Sequence, residues 1–272
     1  MAIPYLTAAQ HAQVLERLVL LPRRTGLIPP HEAGEEYRSL MICLLMHNVT
    51  SADTLLKLLK AFGEDWFPAT VGFAIVRPMF EVDVTAHYMS QNPAQRASQY
   101  IKYSDILKKR QMDACYKHRQ SKNSTWGEAM SLDWNHYWAS RKAETEERYR
   151  AVASSFQRQK KGGGLVEFKN WSGRNLREMA VTVNHEEAYD ILYADLSSFA
   201  HADVRLADRF LKIKPTGPFW SCRADELDVV RVFQYAANFL ACFMELFCQN
   251  FSTWTKADVK ACWDFASPAH KP

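Results

Sequence analysis

Tyr189, Tyr193, Ser197 and His201 recur at every fourth position of the run YDILYADLSSFAH. Four residues advance a helix by slightly more than one turn, a drift of about 40° per step. A helix here carries two phenols, a hydroxyl and an imidazole along one slowly winding stripe. Ile191, Leu192, Leu196 and Phe199 cover much of the remaining surface, and a helix apolar on several sides is expected to be buried. Each polar tip carried inward then needs a partner. A second pair, Arg77 and Glu81 in VRPMFEV, stands four apart and shares a helix face. Its neighbours Ile75, Val76, Met79, Phe80 and Val82 predict burial. A buried charged pair is costly to hold.

The chemistry these residues offer together is acid–base work on a phosphate ester. His201 exchanges a proton near neutral pH, and a neighbouring Glu81 sets its tautomer and raises its basicity. Arg77 binds a phosphate bidentately and offsets charge that develops on it. Ser197 positions a hydroxyl or orients the histidine; with no second base beside it, it is not expected to act as a nucleophile. Tyr189 and Tyr193 form the substrate-binding wall. The set Arg77, Glu81, Ser197 and His201 suits metal-independent cleavage of RNA through its 2′-hydroxyl, with no cofactor. Two other classes fit the same residues: a sensor of a small phosphorylated ligand, and an interaction scaffold whose buried polar network only fixes helix packing. The pairs His31/Glu35, Asp83/His87 and Asp133/His136 show no further ligand in sequence, so no metal site is expected. His11, His47, His118, His185 and His270 receive no role.

The elements that must position these groups are helical. Of 272 residues only ten are glycine and eleven proline, so few turns divide the chain. Thr7 and Gln10 form a capping box for a first helix expected to stop at Pro22. Glu32 to about Asn48 and Ser51 to Phe62 read as two further helices. Residues 70–90 read as helical, kinked at Pro78 or regular only from it. Asn92-Pro93-Ala94-Gln95 starts another helix. Residues 126–159 read as a long exposed helix or one broken once, closed by a flexible joint at Lys160–Gly164. Asn184, with Glu187 three later, reads as the N-cap of the stripe helix. Residues 223–250 form the longest buried helix, and 255–263 a closing one. No segment alternates long enough to predict a strand. The expected fold is an all-α multi-helix bundle with long helices and no significant sheet, one domain over 1–272, with core helices at 223–263.

Composition bounds the setting. Apolar content of 47% and charged content of 24% are ordinary globular values, and a net charge of +4 permits an acidic partner such as RNA without demanding one. The six cysteines show no CxxC pair, which with the lack of a visible secretory signal predicts a reducing, cytoplasmic setting. The apolar stretch 229–248 is broken by Arg231, Gln234, Asn238 and Glu245, so a buried core helix is expected there and no membrane span. A homodimer is compatible with these values.

Two groups of residues carry a resemblance. Arg77-Pro-Met-Phe-Glu81 with Asn92-Pro93-Ala-Gln-Arg96 and Tyr100 is one; Trp171-Ser-Gly-Arg with the Tyr189, Tyr193, Ser197, His201 run is the other. Together they resemble a mostly bacterial family catalogued as domain of unknown function 5677, over about residues 33–215. The resemblance implies a helical protein, distantly similar to HEPN-type proteins, many of which are ribonucleases. Pro78 departs from the small or polar residue expected beside the arginine. The arginine–histidine spacing typical of those ribonucleases is missing too, since seven residues separate Arg110 from His118.

Overall fold

In the helix Glu226–Cys248, α9, the residues Val229, Val232, Phe233, Ala236, Leu240, Phe243, Met244 and Phe247 recur at steps of three and four and are all buried. That spacing puts them on one side of a helix, and the rest of the first unit is arranged around it. The computed structural model describes residues 6–25, 35–119, 125–160, 162–193, 196–197, 211–214, 217–220, 225–248, 251 and 254–264. The chain divides into two units, Met1–Gln91 with Leu176–Pro272, and Asn92–Asn175. The fold is all-α.

In the first unit α1 (Ala8–Thr25), α2 (Glu35–Phe62) and α3 (Ala69–Ser90) pack around α9 (Glu226–Cys248), and α10 (Lys256–Asp264) closes on α1 and α9. α7 (Leu176–Thr182) lies on α3. It is followed by the single turn α8 (Glu186–Ala188) and a π-turn over Tyr189–Tyr193. α3 lies close against α9 at Gly72. A Cβ there would meet Phe67 Cε1 and Val232 Cγ1 at 2.9 Å each. Among the described residues, two helices, α2 and α9, are long and apolar enough to cross a membrane. In α9, 61% of the most apolar window is buried within the protein, the use expected of a core helix.

The second unit is built on α4 (Pro93–His118), which packs on α5 (Thr125–Asp133) and α6 (Ala139–Val152). A π-turn, Trp134–Trp138, joins α5 to α6 and drives Trp134 and Trp138 against Met112 and Cys115. Arg110 then ties the remainder down. It donates to Glu167 Oε2 from Nε at 2.9 Å, to Tyr103 Oη from Nη1 at 2.8 Å and to the Phe168 carbonyl from Nη2 at 2.6 Å. Trp171 and Tyr100 meet edge-on with centroids 5.2 Å apart.

Several sequence expectations are corrected. α1 continues through Pro22 to Thr25, where the missing amide costs one bond near a helix end. α2 is one helix from Glu35 to Phe62, so no new helix starts at Ser51, and the Thr54 hydroxyl bonds the Thr50 carbonyl at 2.8 Å from within it. α3 runs unbroken through Pro78. Short strands do occur, pairing antiparallel as β1 (Gln157–Gln159) with β2 (Leu165–Glu167), and β3 (Leu211–Lys214) with β4 (Gly217–Trp220). In place of the flexible joint expected there, Gly162–Gly164 lead into β2, and Lys160 N bonds the Gly164 carbonyl at 2.9 Å; Gly162, Gly163 and Gly164 have φ of 100°, 91° and 86°, values open to glycine at no steric cost. Strands of three and four residues leave too few side chains to show an alternation in sequence.

Candidate functional site

On α3, Arg77 and Glu81 stand one turn apart and are joined, Nε to Oε1, at 3.0 Å. Tyr193, delivered by the π-turn after α8, closes a triangle. Its hydroxyl accepts from Arg77 Nη2 at 2.9 Å and donates to Glu81 Oε1 at 3.1 Å. Tyr189 and Tyr193 stack with centroids 4.8 Å apart and planes 18° apart, and Phe80, fully buried, lies 5.9 Å from Tyr193. The Arg77 side chain is 18% exposed and that of Glu81 40%. Burial lowers the Arg77 pKa, but the Tyr193 and Glu81 contacts outweigh it and raise it overall. Burial, with the Glu81 charge, pushes the Tyr193 phenol up. The phenol thus keeps its proton and the guanidinium its charge.

These positions bring four expected residues together: Arg77, Glu81, Tyr193 and, by stacking, Tyr189. Ser197 is helical and half-buried, beside a fully buried Leu196. His201 lies outside the described residues. The run is not the continuous α-helix its spacing suggests, because over Tyr189–Tyr193 it is wound as a π-turn. A π-turn bonds i to i+5 and shifts the faces that a 3.6-residue period would set. Ile191 accordingly is 60% exposed, against its expected place on a buried face.

A second cluster sits further along α3, and sequence reasoning missed it. Asp83 and His87 are one turn apart; His185, at the start of α8, reaches them from the other segment of the unit. His185 Nε2 lies 3.1 Å from Asp83 Oδ2. His87 Nδ1 lies 3.0 Å from the Asp83 carbonyl and 3.2 Å from Oδ1. Nδ1 thus faces two oxygens at once, and Oδ1 makes no regular hydrogen bond. The Asp83 side chain is 1% exposed, His87 23% and His185 20%. The two imidazole rings are 4.8 Å apart. Burial raises the Asp83 pKa, but the His185 and His87 contacts outweigh it and hold the carboxyl below its usual range. The contact with Asp83 raises His185 against a smaller opposing effect of burial. Burial lowers His87, and Asp83 overcomes it to raise the value.

His185 owes its place to the residue before it. Asn184 has φ of 61°, the left-handed conformation that ends helices. The His185 amide then bonds back to the Ala180 carbonyl at 2.8 Å, and Asn184 N to Val181 O at 3.2 Å. Asn184 thus terminates α7, and the N-cap of α8 is His185, which corrects the capping role expected for Asn184. The His185 ring is held at its other nitrogen, where Nδ1 faces the Val183 carbonyl at 2.8 Å. The Asp83/His87 spacing was visible as a pair, but nothing in sequence tied it to a histidine about a hundred residues on.

A family model described as a family of unknown function (DUF5677) matches residues 38–217, which includes both clusters. No curated protein and no solved structure matches the chain.

Proposed function

The chain belongs to this family of unknown function, and we propose that its Arg77–Glu81–Tyr193 cluster engages a phosphate-bearing ligand, RNA before others. The observation that carries this reading is a guanidinium fixed by Glu81 and Tyr193 oxygens next to a carboxylate still 40% exposed. An arginine held in place loses little freedom when it meets a phosphate. In the finer form of the proposal the protein is a HEPN-like, metal-independent ribonuclease. Glu81 takes the proton of a ribose 2′-hydroxyl, the 2′-oxygen attacks phosphorus, and the bond to the 5′-oxygen breaks as that oxygen takes a proton from His201. Arg77 offsets the charge gained by the phosphoryl oxygens, Ser197 orients His201, and the Tyr189–Tyr193 stack offers a face to a base.

Exposed aromatic rings interleaved with cations in the second unit support RNA as the ligand. Arg119 lies 4.1 Å from the Tyr116 ring centroid, and Arg141 4.2 Å from that of Tyr137. Tyr116 and Tyr137 are about half exposed. Single-stranded nucleic acid binds where rings and positive charge alternate.

The closed triangle also favours a second reading, a non-catalytic scaffold or ligand sensor, because three mutually satisfied side chains are what a packing network requires. Mixed RNA incubated with the purified chain, with and without chelator, separates the two. Cleavage that survives chelator and disappears in His201→Ala and Arg77→Ala supports the ribonuclease. RNA neither cleaved nor retarded by the wild-type chain removes it and leaves the scaffold.

A further inference from the structure

The Asp83, His87 and His185 cluster gathers a buried carboxylate and two imidazoles, with one candidate ligand atom from each lying within 4.8 Å of the others. Val183 O at 2.8 Å takes the hydrogen on His185 Nδ1. The opposite nitrogen, Nε2, faces a carboxylate oxygen at 3.1 Å. In the metal-free chain a proton bridges that gap, and a metal ion can take the proton's place. A proton on Nε2 satisfies Oδ2, while the buried Oδ1 has the His87 Nδ1 contact at 3.2 Å and no regular hydrogen bond. A metal ion satisfies the carboxylate and the imidazole together. We propose that Asp83, His87 and His185 bind one divalent first-row transition-metal ion, zinc being the class representative.

The donor set and geometry fit that class. Two imidazoles and one carboxylate suit zinc or ferrous iron, and do not suit magnesium or calcium, which take oxygen. Ligand atoms about 2.0–2.2 Å from an ion stand roughly 3–3.5 Å apart. Asp83 lies 3.1 Å from His185 Nε2 and 3.2 Å from His87 Nδ1, which as a ligand gives up its hydrogen and its bond to the Asp83 carbonyl, and all candidate ligand atoms lie within 4.8 Å of one another. The hydrogen bond from His185 Nδ1 to a backbone carbonyl is the support that metal-bound histidines usually have. Asp83 is sealed while both rings reach solvent. Three protein ligands with an accessible edge leave a position for water or a substrate atom. This site stands apart from the phosphate reading: neither its ligands nor its geometry involves Arg77, Glu81 or Tyr193.

The test uses the whole chain, stripped with a chelator and dialysed. Zinc is titrated by calorimetry and by thermal melting, and cobalt by visible absorption. One ion per chain is expected, with a thermal midpoint raised by several degrees and cobalt bands of a nitrogen-and-oxygen site. Magnesium is expected to give neither effect. His87→Gln and His185→Gln should each weaken zinc at least about tenfold. Absence of zinc binding by the wild-type chain, or binding that either variant retains unchanged, overturns the proposal. Should a variant fail to fold, the cobalt spectrum of the wild-type chain decides: bands without nitrogen ligation overturn the site. Loss of RNA cleavage with zinc binding intact would reject the ribonuclease alone, and the converse result the metal site alone.

Discussion

Arg77 Nη2 donates to the Tyr193 hydroxyl at 2.9 Å across 116 residues of sequence. This bond, with the Glu81 contact, decides whether the cluster is a packing device or a partly open site. Breaking a fully buried ion pair costs about 3–5 kcal/mol, and an exposed pair is worth about 0–1 kcal/mol. Glu81 at 40% exposure places this pair between them. Arg77→Ala should cost about 1–2 kcal/mol, with a coupling to Tyr193→Phe of about 0.5–1.5 kcal/mol. Denaturant melts of the two single variants and the double variant measure both. A loss as large as that of a buried pair would argue for the packing device.

Stability of the metal-free chain should depend on pH through Asp83 and its two histidines. His87 and His185 have folded values raised above 6.5, so their contribution is full below that pH and is lost as pH rises through the folded values. Asp83 is lowered from 3.8, so its contribution is full above that pH and is lost as pH falls through its folded value. His11, lowered by burial, works in the opposite direction to the other histidines. The informative quantity is therefore the difference between wild type and Asp83→Asn. That difference should be greatest between the unfolded values, at weakly acid pH, and should shrink towards alkaline pH. A difference that is flat with pH would show that the three groups do not titrate together.

Gly72→Ala should destabilise the first unit. Alanine gains up to about 1 kcal/mol in helix propensity, but its Cβ meets Phe67 and Val232 at 2.9 Å, and overpacking of a core costs about 1–3 kcal/mol. A net loss of about 1–2 kcal/mol in chemical unfolding is expected. A gain would mean that α3 and α9 separate readily.

Asn184→Gly should be close to neutral, because glycine adopts φ of 61° freely. Asn184→Val should cost about 1–2 kcal/mol. It should also displace the His185 ring from Asp83, seen as a change in the imidazole resonances by NMR. If valine is tolerated without such a change, His185 is held by its own contacts.

How much of this was legible in the sequence follows from the range of the interactions. The Arg77/Glu81 pair, the Thr7/Gln10 capping box and the periodic core of α9 are local patterns, and the structure contains each of them. Meeting of Arg77 with Tyr193 was expected only because both segments looked buried and polar-tipped. His185 was invisible, since its role depends on a left-handed turn at Asn184 and a partner 102 residues away. The π-turn at Tyr189–Tyr193 was equally hidden: a four-residue spacing reads as an α-helix unless the backbone itself is seen.

Both clusters draw one half from α3 and the other from the segment after α7, and the whole second unit, Asn92–Asn175, is inserted between those halves. Made from the N-terminus, α3 must wait while every residue of the insertion is synthesised before its partners exist. Unit two has its own nearby contacts and can collapse during that interval. Closing a loop costs entropy that grows only with the logarithm of its length, so the insertion weakens the finished sites little, yet contacts of such sequence separation form slowly. The expected order of events is early protection from hydrogen exchange in α4 and α6, with Arg77, Tyr193, Asp83 and His185 meeting last.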